Sequence, residues 1–177
     1  MNPPKKRVLP PVCAPICLIS DSDKEKFQSG LAALADNNDG KAESIFQDII
    51  DNKPYLAGPY CNIALIRFKE AKYQESLDLI NKAIGLNENI AQAYNLRAQI
   101  LIKMGKINDA KGDYLKAVNL DQNYANAHYN LALLYDIYLQ DIPQAIKHYE
   151  KYLSLLTQPD KVTQQWVDHL KGAIKHG

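Results

Sequence analysis

Starting at Asp23, Ala57, Ala91 and Ala125, the chain repeats itself four times with a constant step of 34 residues, and only the fourth window takes an extra residue. A period of this length confines the chain to folds in which one supersecondary unit stacks on copies of itself, because no single unit can bury its own apolar face. The eighth position of the windows reads Gly30, Ala64, Ala98 and Ala132, and the twentieth reads Ala42, Ser76, Ala110 and, past the insertion, Ala145. Small residues recur where two helices must touch, since a bulky side chain at such a crossing holds the backbones apart at a cost of ~1–3 kcal/mol. The twenty-fourth position is large, with Phe46, Ile80, Tyr114 and Tyr149. These side chains are the plugs expected to fill the space that the small residues leave.

Within each window the apolar residues follow helical spacing, as in Ile63, Ala64, Arg67 and Phe68, then Leu77, Ile80, Ala83 and Ile84. Two helices per window follow, separated by breakers at Asn37 to Gly40, Lys72 to Gln74, Gly105 to Asn108 and Gln140 to Pro143. Gly105 suits a helix C-terminal cap and Asp141 an N-cap, while Pro143 is tolerated in a first turn whose amides lack intrahelical partners. Pro54 ends the first window. The expected organisation is a disordered, proline-rich start over residues 1–22, repeats over 23–56, 57–90, 91–124 and 125–158, and a terminal helix over 159–177. That helix carries Val162, Trp166, Val167, Leu170 and Ile174 on one stripe, so it is expected to cap the open end of the stack, with Trp166 near Tyr149 and Tyr152.

Composition removes several function classes. With 21 Lys plus Arg against 20 Asp plus Glu there is no basic field to gather phosphates, so nucleic acid is not an expected partner. The four histidines, 128, 148, 169 and 176, stand beside no catalytic partner, and His128 falls in a packing slot. No glycine-rich phosphate loop, zinc-protease pair or nucleophile elbow occurs, so the reading is of a chain with no catalytic residues, no metal and no cofactor. Cys13 and Cys17 could pair or bind metal, but their spacing has no second half and no nearby His, so they are expected as two unlinked thiols, and Cys61 stands alone in the repeats. Lys5, Lys6 and Arg7 precede an apolar stretch, but Pro10, Pro11 and Pro15 interrupt it and no small-residue cleavage site follows. No stretch approaches ~20 consecutive apolar residues, so no membrane span is expected and the chain as it stands reads as soluble and cytoplasmic.

Laid out in register, the windows resemble the tetratricopeptide repeat family, whose pattern has an aromatic at position four, Leu then Gly or Ala at seven and eight, and Tyr at eleven. Tyr60, Tyr94 and His128 fill the fourth position, Tyr135 the eleventh, and Ala83 and Ala117 the twenty-seventh, and the match covers residues 23 to about 158. Lys26, Arg97 and Tyr152 depart from the pattern, and Glu88 and Gln122 replace its proline. The resemblance implies an all-α solenoid of four helix-turn-helix repeats. It also extends to bacterial members linked to cell-envelope assemblies, to which the stretch from Ala127 to Leu155 is similar.

The same resemblance implies that the first helix of each pair lines a concave face. Positions two, five, six, nine, twelve and thirteen then contribute Phe27 and Leu31, then Asn62, Leu65 and Phe68 beside Cys61, then Asn95 and Gln99, then Tyr129, Asn130 and Leu133. Apolar side chains supply buried area, and the amides can both donate to and accept from a peptide backbone, so the expected partner is a peptide or a helix of another protein. Leu31, Leu65 and Leu133 serve equally well as packing between repeats. Chaperone-binding members of the family grip a C-terminal carboxylate with Lys, Asn and Arg, but here Phe27 stands in the place of the first lysine and Asn62 alone fits. A second class of function is a self-assembling scaffold, in which an end repeat docks on another copy of the chain to give a homo-oligomer.

Overall fold

The computed structural model describes Pro3, Cys13 and residues 20–175, and among these it is all helical. The helices are α1 (Asp21–Ala35), α2 (Asp39–Asn52), α3 (Ala57–Lys69), α4 (Tyr73–Leu86), α5 (Ala91–Lys103), α6 (Ile107–Leu120), α7 (Ala125–Leu133, continued as a π-helical segment Leu134–Leu139), α8 (Ile142–Ser154) and α9 (Lys161–Lys175). Each odd helix packs antiparallel on the next even one, and each pair packs on its successor, giving the expected solenoid of helical hairpins. The small positions Ala42, Ala64, Ser76, Ala98, Ala110, Ala132 and Ala145 are buried, as are the plugs Phe46, Ile80, Tyr114 and Tyr149. At Gly30 an added Cβ would stand 2.7 Å from the Phe46 ring, so an aromatic plug faces the smallest partner.

The turn inside each hairpin uses one residue in the left-handed region, at Asn37, Ala71, Gly105 and Gln140. The first three close a Schellman motif; at the second, Lys72 N–H donates to the Arg67 carbonyl at 2.9 Å and Ala71 N–H to that of Phe68 at 3.0 Å. Only Gly105 adopts this conformation without steric cost. Ala71→Gly should therefore raise the unfolding free energy by about 0.5–1 kcal/mol, the net of relieved strain and a freer unfolded chain, read as a higher denaturant midpoint at constant m-value. An unchanged or lower midpoint would show the turn to be unstrained.

The connections between hairpins explain how the chain dispenses with the family's proline at Glu88 and Gln122. Asn87 and Asp121, one position earlier, accept from the backbone N–H of Asn89 and Asn123 at 2.9 Å in each case, so a side chain makes the turn that proline would have preset. The extra residue of the fourth window is taken up by the π-helical segment, whose wider turn absorbs one residue without ending the helix.

Three core clusters run along the stack, one for each junction and the last shared by the third and fourth repeats and α9. The stripe on α9 needs correction. Thr163, Trp166, Val167 and Leu170 face the fourth repeat, whereas Val162 and Ile174 are 63% and 48% exposed. Asp160 sits just before the helix and accepts from Thr163 N–H and Oγ1, which turns Thr163 rather than Val162 into the buried member of the first turn.

Candidate functional site

Among the described residues α3 touches α5, a contact between odd helices of successive repeats, and the odd helices are the rank that the repeat pattern assigns to the inner face. Side chains from that rank also meet across it. Asn130 Nδ2 on α7 donates to Asn95 Oδ1 on α5 at 3.0 Å, and Asn95 Nδ2 reaches the Tyr124 hydroxyl at 3.2 Å. All three side chains are buried, and burial raises the Tyr124 hydroxyl above its ordinary pKa, so it stays a neutral hydrogen-bonding group. Gln99, one turn beyond Asn95, keeps partial exposure, and its Nε2 is shielded from solvent without a hydrogen-bond partner among the described residues.

Asn62 makes a different set of contacts. Its Oδ1 accepts from the backbone N–H of Cys13 at 3.1 Å, while its Nδ2 donates to the carbonyl of Cys13 at 3.1 Å and to that of Gly58 at 3.1 Å. One side-chain amide thus satisfies both backbone groups of a single residue, 49 positions away in the chain. The bond to Gly58, one turn earlier on α3, holds the amide in that orientation. Cys13 is moreover joined by a disulfide to Cys61, with the Cα atoms 6.1 Å apart. The expectation that Cys13 is an unlinked thiol and that Cys61 stands alone is corrected here, because no spacing rule pairs cysteines that only the superhelix brings together. Cys17 lies outside the described residues.

The apolar members of the expected site divide by depth. Phe27 is buried against Phe46 with ring centroids 5.3 Å apart, and Leu65 lies in the core between the second and third repeats. Tyr129 is buried against Tyr152 and Tyr149, at 4.9 and 5.8 Å between centroids. Leu31, Phe68 and Leu133 keep partial exposure while packing on core clusters, and Phe68 lies beside Tyr73 at 5.9 Å. The inner rank therefore offers Leu31, Phe68, Gln99 and Leu133 at its surface, with Asn62 beneath residue 13. Arg97, the departure at position seven, clasps Asp113 with two bonds of 2.7 Å and donates to Asn81 at 2.9 Å, which ties the third repeat to the second.

Two clusters that the sequence did not reveal lie at the C-terminal end. Asp136, on the π-helical segment, accepts from the Tyr149 hydroxyl at 3.1 Å and from Trp166 Nε1 at 2.7 Å, which pins α9 to the fourth repeat. His128 and His148 approach with their Nδ1 atoms 3.0 Å apart, and His128 Nε2 lies 3.1 Å from the Gln122 carbonyl. A carbonyl only accepts, so His128 carries its proton on Nε2, leaving Nδ1 to accept from His148 Nδ1–H. Burial lowers the pKa of both rings, that of His148 to about 4. Among the described residues no group of three or more metal-ligating side chains is present, and no helix is long and apolar enough to cross a membrane.

Comparison with known proteins places this architecture. A family model described as TPR repeat matches residues 98–136, and a second, described as Tetratricopeptide repeat, matches 57–90 and 125–155. A mouse Protein O-mannosyl-transferase TMTC3 is 40% identical over 102 residues, which is 53% of this chain and 11% of that protein. An Arabidopsis thaliana TPR repeat-containing thioredoxin TTL4 is 31% identical over 134 residues, 63% of this chain and 19% of its own length. The chain therefore spans between a tenth and a fifth of these relatives. Among solved structures, a thermophilic TPR protein of Thermus thermophilus aligns with a TM-score of 0.69 at 14% identity, covering 85% of this chain and 81% of that one. The first TPR of Spaghetti (RPAP3), bound to an HSP90 peptide, aligns with a TM-score of 0.61 at 23% identity, over 67% of this chain and 93% of that chain. These likenesses are to the fold.

Proposed function

Because the chain belongs to the tetratricopeptide repeat family, we propose that it is a non-catalytic protein-interaction module whose inner rank of helices holds an extended peptide of another protein. The observation that carries this reading is the two-point contact of Asn62 with the backbone N–H and C=O of one residue. A residue inside a partner helix has both groups engaged along its own axis, so the amide selects an extended segment over a helical one. Leu31, Phe68 and Leu133 would add apolar contact to either side, with the partly exposed Gln99 midway. Repeats over 23–158 form the binding unit and the helix after residue 159 closes its end. The neighbour that holds an HSP90 peptide supports peptide capture as a mode. Phe27 and Leu31 provide no charge for an acidic C-terminus, so an uncharged stretch of backbone fits better here.

Peptides selected by display against the reduced full-length protein provide the test, with affinity read by fluorescence anisotropy. Asn62→Ala should weaken the selected peptides by at least about tenfold, roughly 1.4 kcal/mol, with thermal unfolding still cooperative. Peptides held equally by both proteins, or helical when bound, would contradict the proposal.

A further inference from the structure

The backbone-reading amide already has an occupant, and it is the protein's own Cys13. Cys61 and Asn62 are consecutive on α3, so the residue that bonds the Cys13 sulfur stands next to the residue that reads the Cys13 backbone. Cys13 is 1% exposed and Cys61 2% exposed. We infer that the disulfide latches the chain's own Cys13 into the partner site, and that thiol reduction releases it so that a partner peptide can bind in trans. This inference rests on the reading of Asn62 as a peptide-binding residue.

Three features separate a latch from a mere structural crosslink. A crosslink needs only the two sulfurs, yet here both backbone groups of Cys13 are also satisfied, in the manner a bound peptide would require. Cys13 joins the core cluster of the second and third repeats, but the rest of that cluster, including the small positions Ala64 and Ala83 and the plug Ile80, belongs to the repeats themselves. The backbone already tethers residue 13 to α1, and the disulfide adds a direct bond at the site itself, so a partner must break a covalent link while the bond persists and compete only with a weakly held, reversible occupant once it is cut. Once it is cut, two hydrogen bonds remain between residue 13 and Asn62, and an incoming peptide that makes the same two bonds plus apolar contacts can replace it.

The release step balances with a dithiol reductant. One thiolate of the dithiol attacks one sulfur of the Cys13–Cys61 bond, and the other cysteine leaves as a thiolate and takes up a proton. The second dithiol sulfur then displaces the first cysteine from the mixed disulfide, closing the reductant into its own disulfide. Overall the protein gains two electrons and two protons and the dithiol loses them. Because both sulfurs are shielded, attack requires residue 13 to lift from α3, so the reaction should be slower than for an exposed disulfide.

The test uses the 177-residue chain in oxidised form, in dithiol-reduced form, and as Cys13→Ser, a substitution outside every helix. The probe is a labelled synthetic peptide of residues 8–18 with serine in place of both cysteines, added in trans and followed by anisotropy, with thiol content checked by alkylation and mass. The reduced protein and Cys13→Ser should bind the probe at least tenfold more tightly than the oxidised protein, and Asn62→Ala introduced into Cys13→Ser should abolish the gain. Equal binding by oxidised and reduced protein, still weakened by Asn62→Ala, would overturn the latch and leave the groove reading standing. Binding by none of the forms, or binding indifferent to Asn62→Ala, would overturn both.

Discussion

Trp166→Ala is expected to lower the unfolding free energy by about 3–5 kcal/mol, the range for truncating a large buried aromatic. Trp166 is 7% exposed, packs in the last core cluster with Val167, Leu170, Tyr149 and Tyr152, and donates from Nε1 to Asp136. Truncation opens a cavity at the end of the stack and removes one of two donors from a carboxylate that the π-helical segment holds toward the core. The Tyr149 hydroxyl, left as the other donor, depends on the same carboxylate. Because each repeat contacts only its neighbours, the damage should begin locally, with hydrogen-exchange protection falling first in α8 and α9 and least in α1 and α2. Denaturant unfolding followed by circular dichroism measures the total, since the variant loses the only tryptophan fluorophore. Trp166→Phe should retain most of the area and lose chiefly the hydrogen bond, about 1–2 kcal/mol. A loss below about 1 kcal/mol for the alanine variant would mean that α9 is not a working cap.

The second large effect is a pH dependence centred on the histidine pair. His128 and His148 are both buried and joined by a single hydrogen bond that requires both rings to be neutral in the arrangement derived above. An unfolded histidine titrates near 6.5, whereas burial holds His148 down to about 4, with the neighbouring His128 ring contributing in the same direction. A depressed folded pKa contributes stability that is fully present above the unfolded pKa and is lost as pH falls through the folded one. The loss should therefore run between pH 6.5 and pH 4 and amount to about 2–3 kcal/mol for His148, at 1.36 kcal/mol per pKa unit. Carboxylates such as Asp23, held low by Lys53, lose stability in acid as well, so the comparison must be made against His148→Gln. That variant should be less stable at pH 7.5 and show a flatter profile between pH 6.5 and 4. Parallel profiles for the two proteins would rule out a neutral pair.

The repeat architecture was legible because it is written in residue size at a fixed period. Gly30 opposite Phe46, and the alanines opposite Ile80, Tyr114 and Tyr149, can be read without coordinates, and each is buried as its size demands. The insertion in the fourth window was visible as a shift in register, but its absorption by a π-helical segment was not, since no residue type marks such a turn. The left-handed turn residues were legible only at Gly105, because Ala71 and Gln140 adopt the conformation against their own preference, held there by the hairpin. At the site, helical position indicated which residues share a face of their helix but not how deeply each sits. The inward face of one repeat is also the face that packs on the next, and so Phe27, Asn62, Leu65, Asn95, Tyr129 and Asn130 are buried while Leu31, Phe68, Gln99 and Leu133 remain partly exposed. The Cys13–Cys61 bond and the His128–His148 pair join residues 48 and 20 positions apart, and neither separation corresponds to a pattern in the chain.

As proposed, partners dock along the inner rank, over Asn62. Side-chain amide signals of Asn62, Gln99 and Asn130 in isotope-labelled, reduced protein, followed by NMR during titration with a display-selected peptide, test this directly. Asn62 and Gln99 should shift most, together with the backbone amides of Leu31, Phe68 and Leu133, while α2, α4 and α6 stay still. Shifts confined to the even helices or to α9, with the Asn62 amide unmoved, would contradict it.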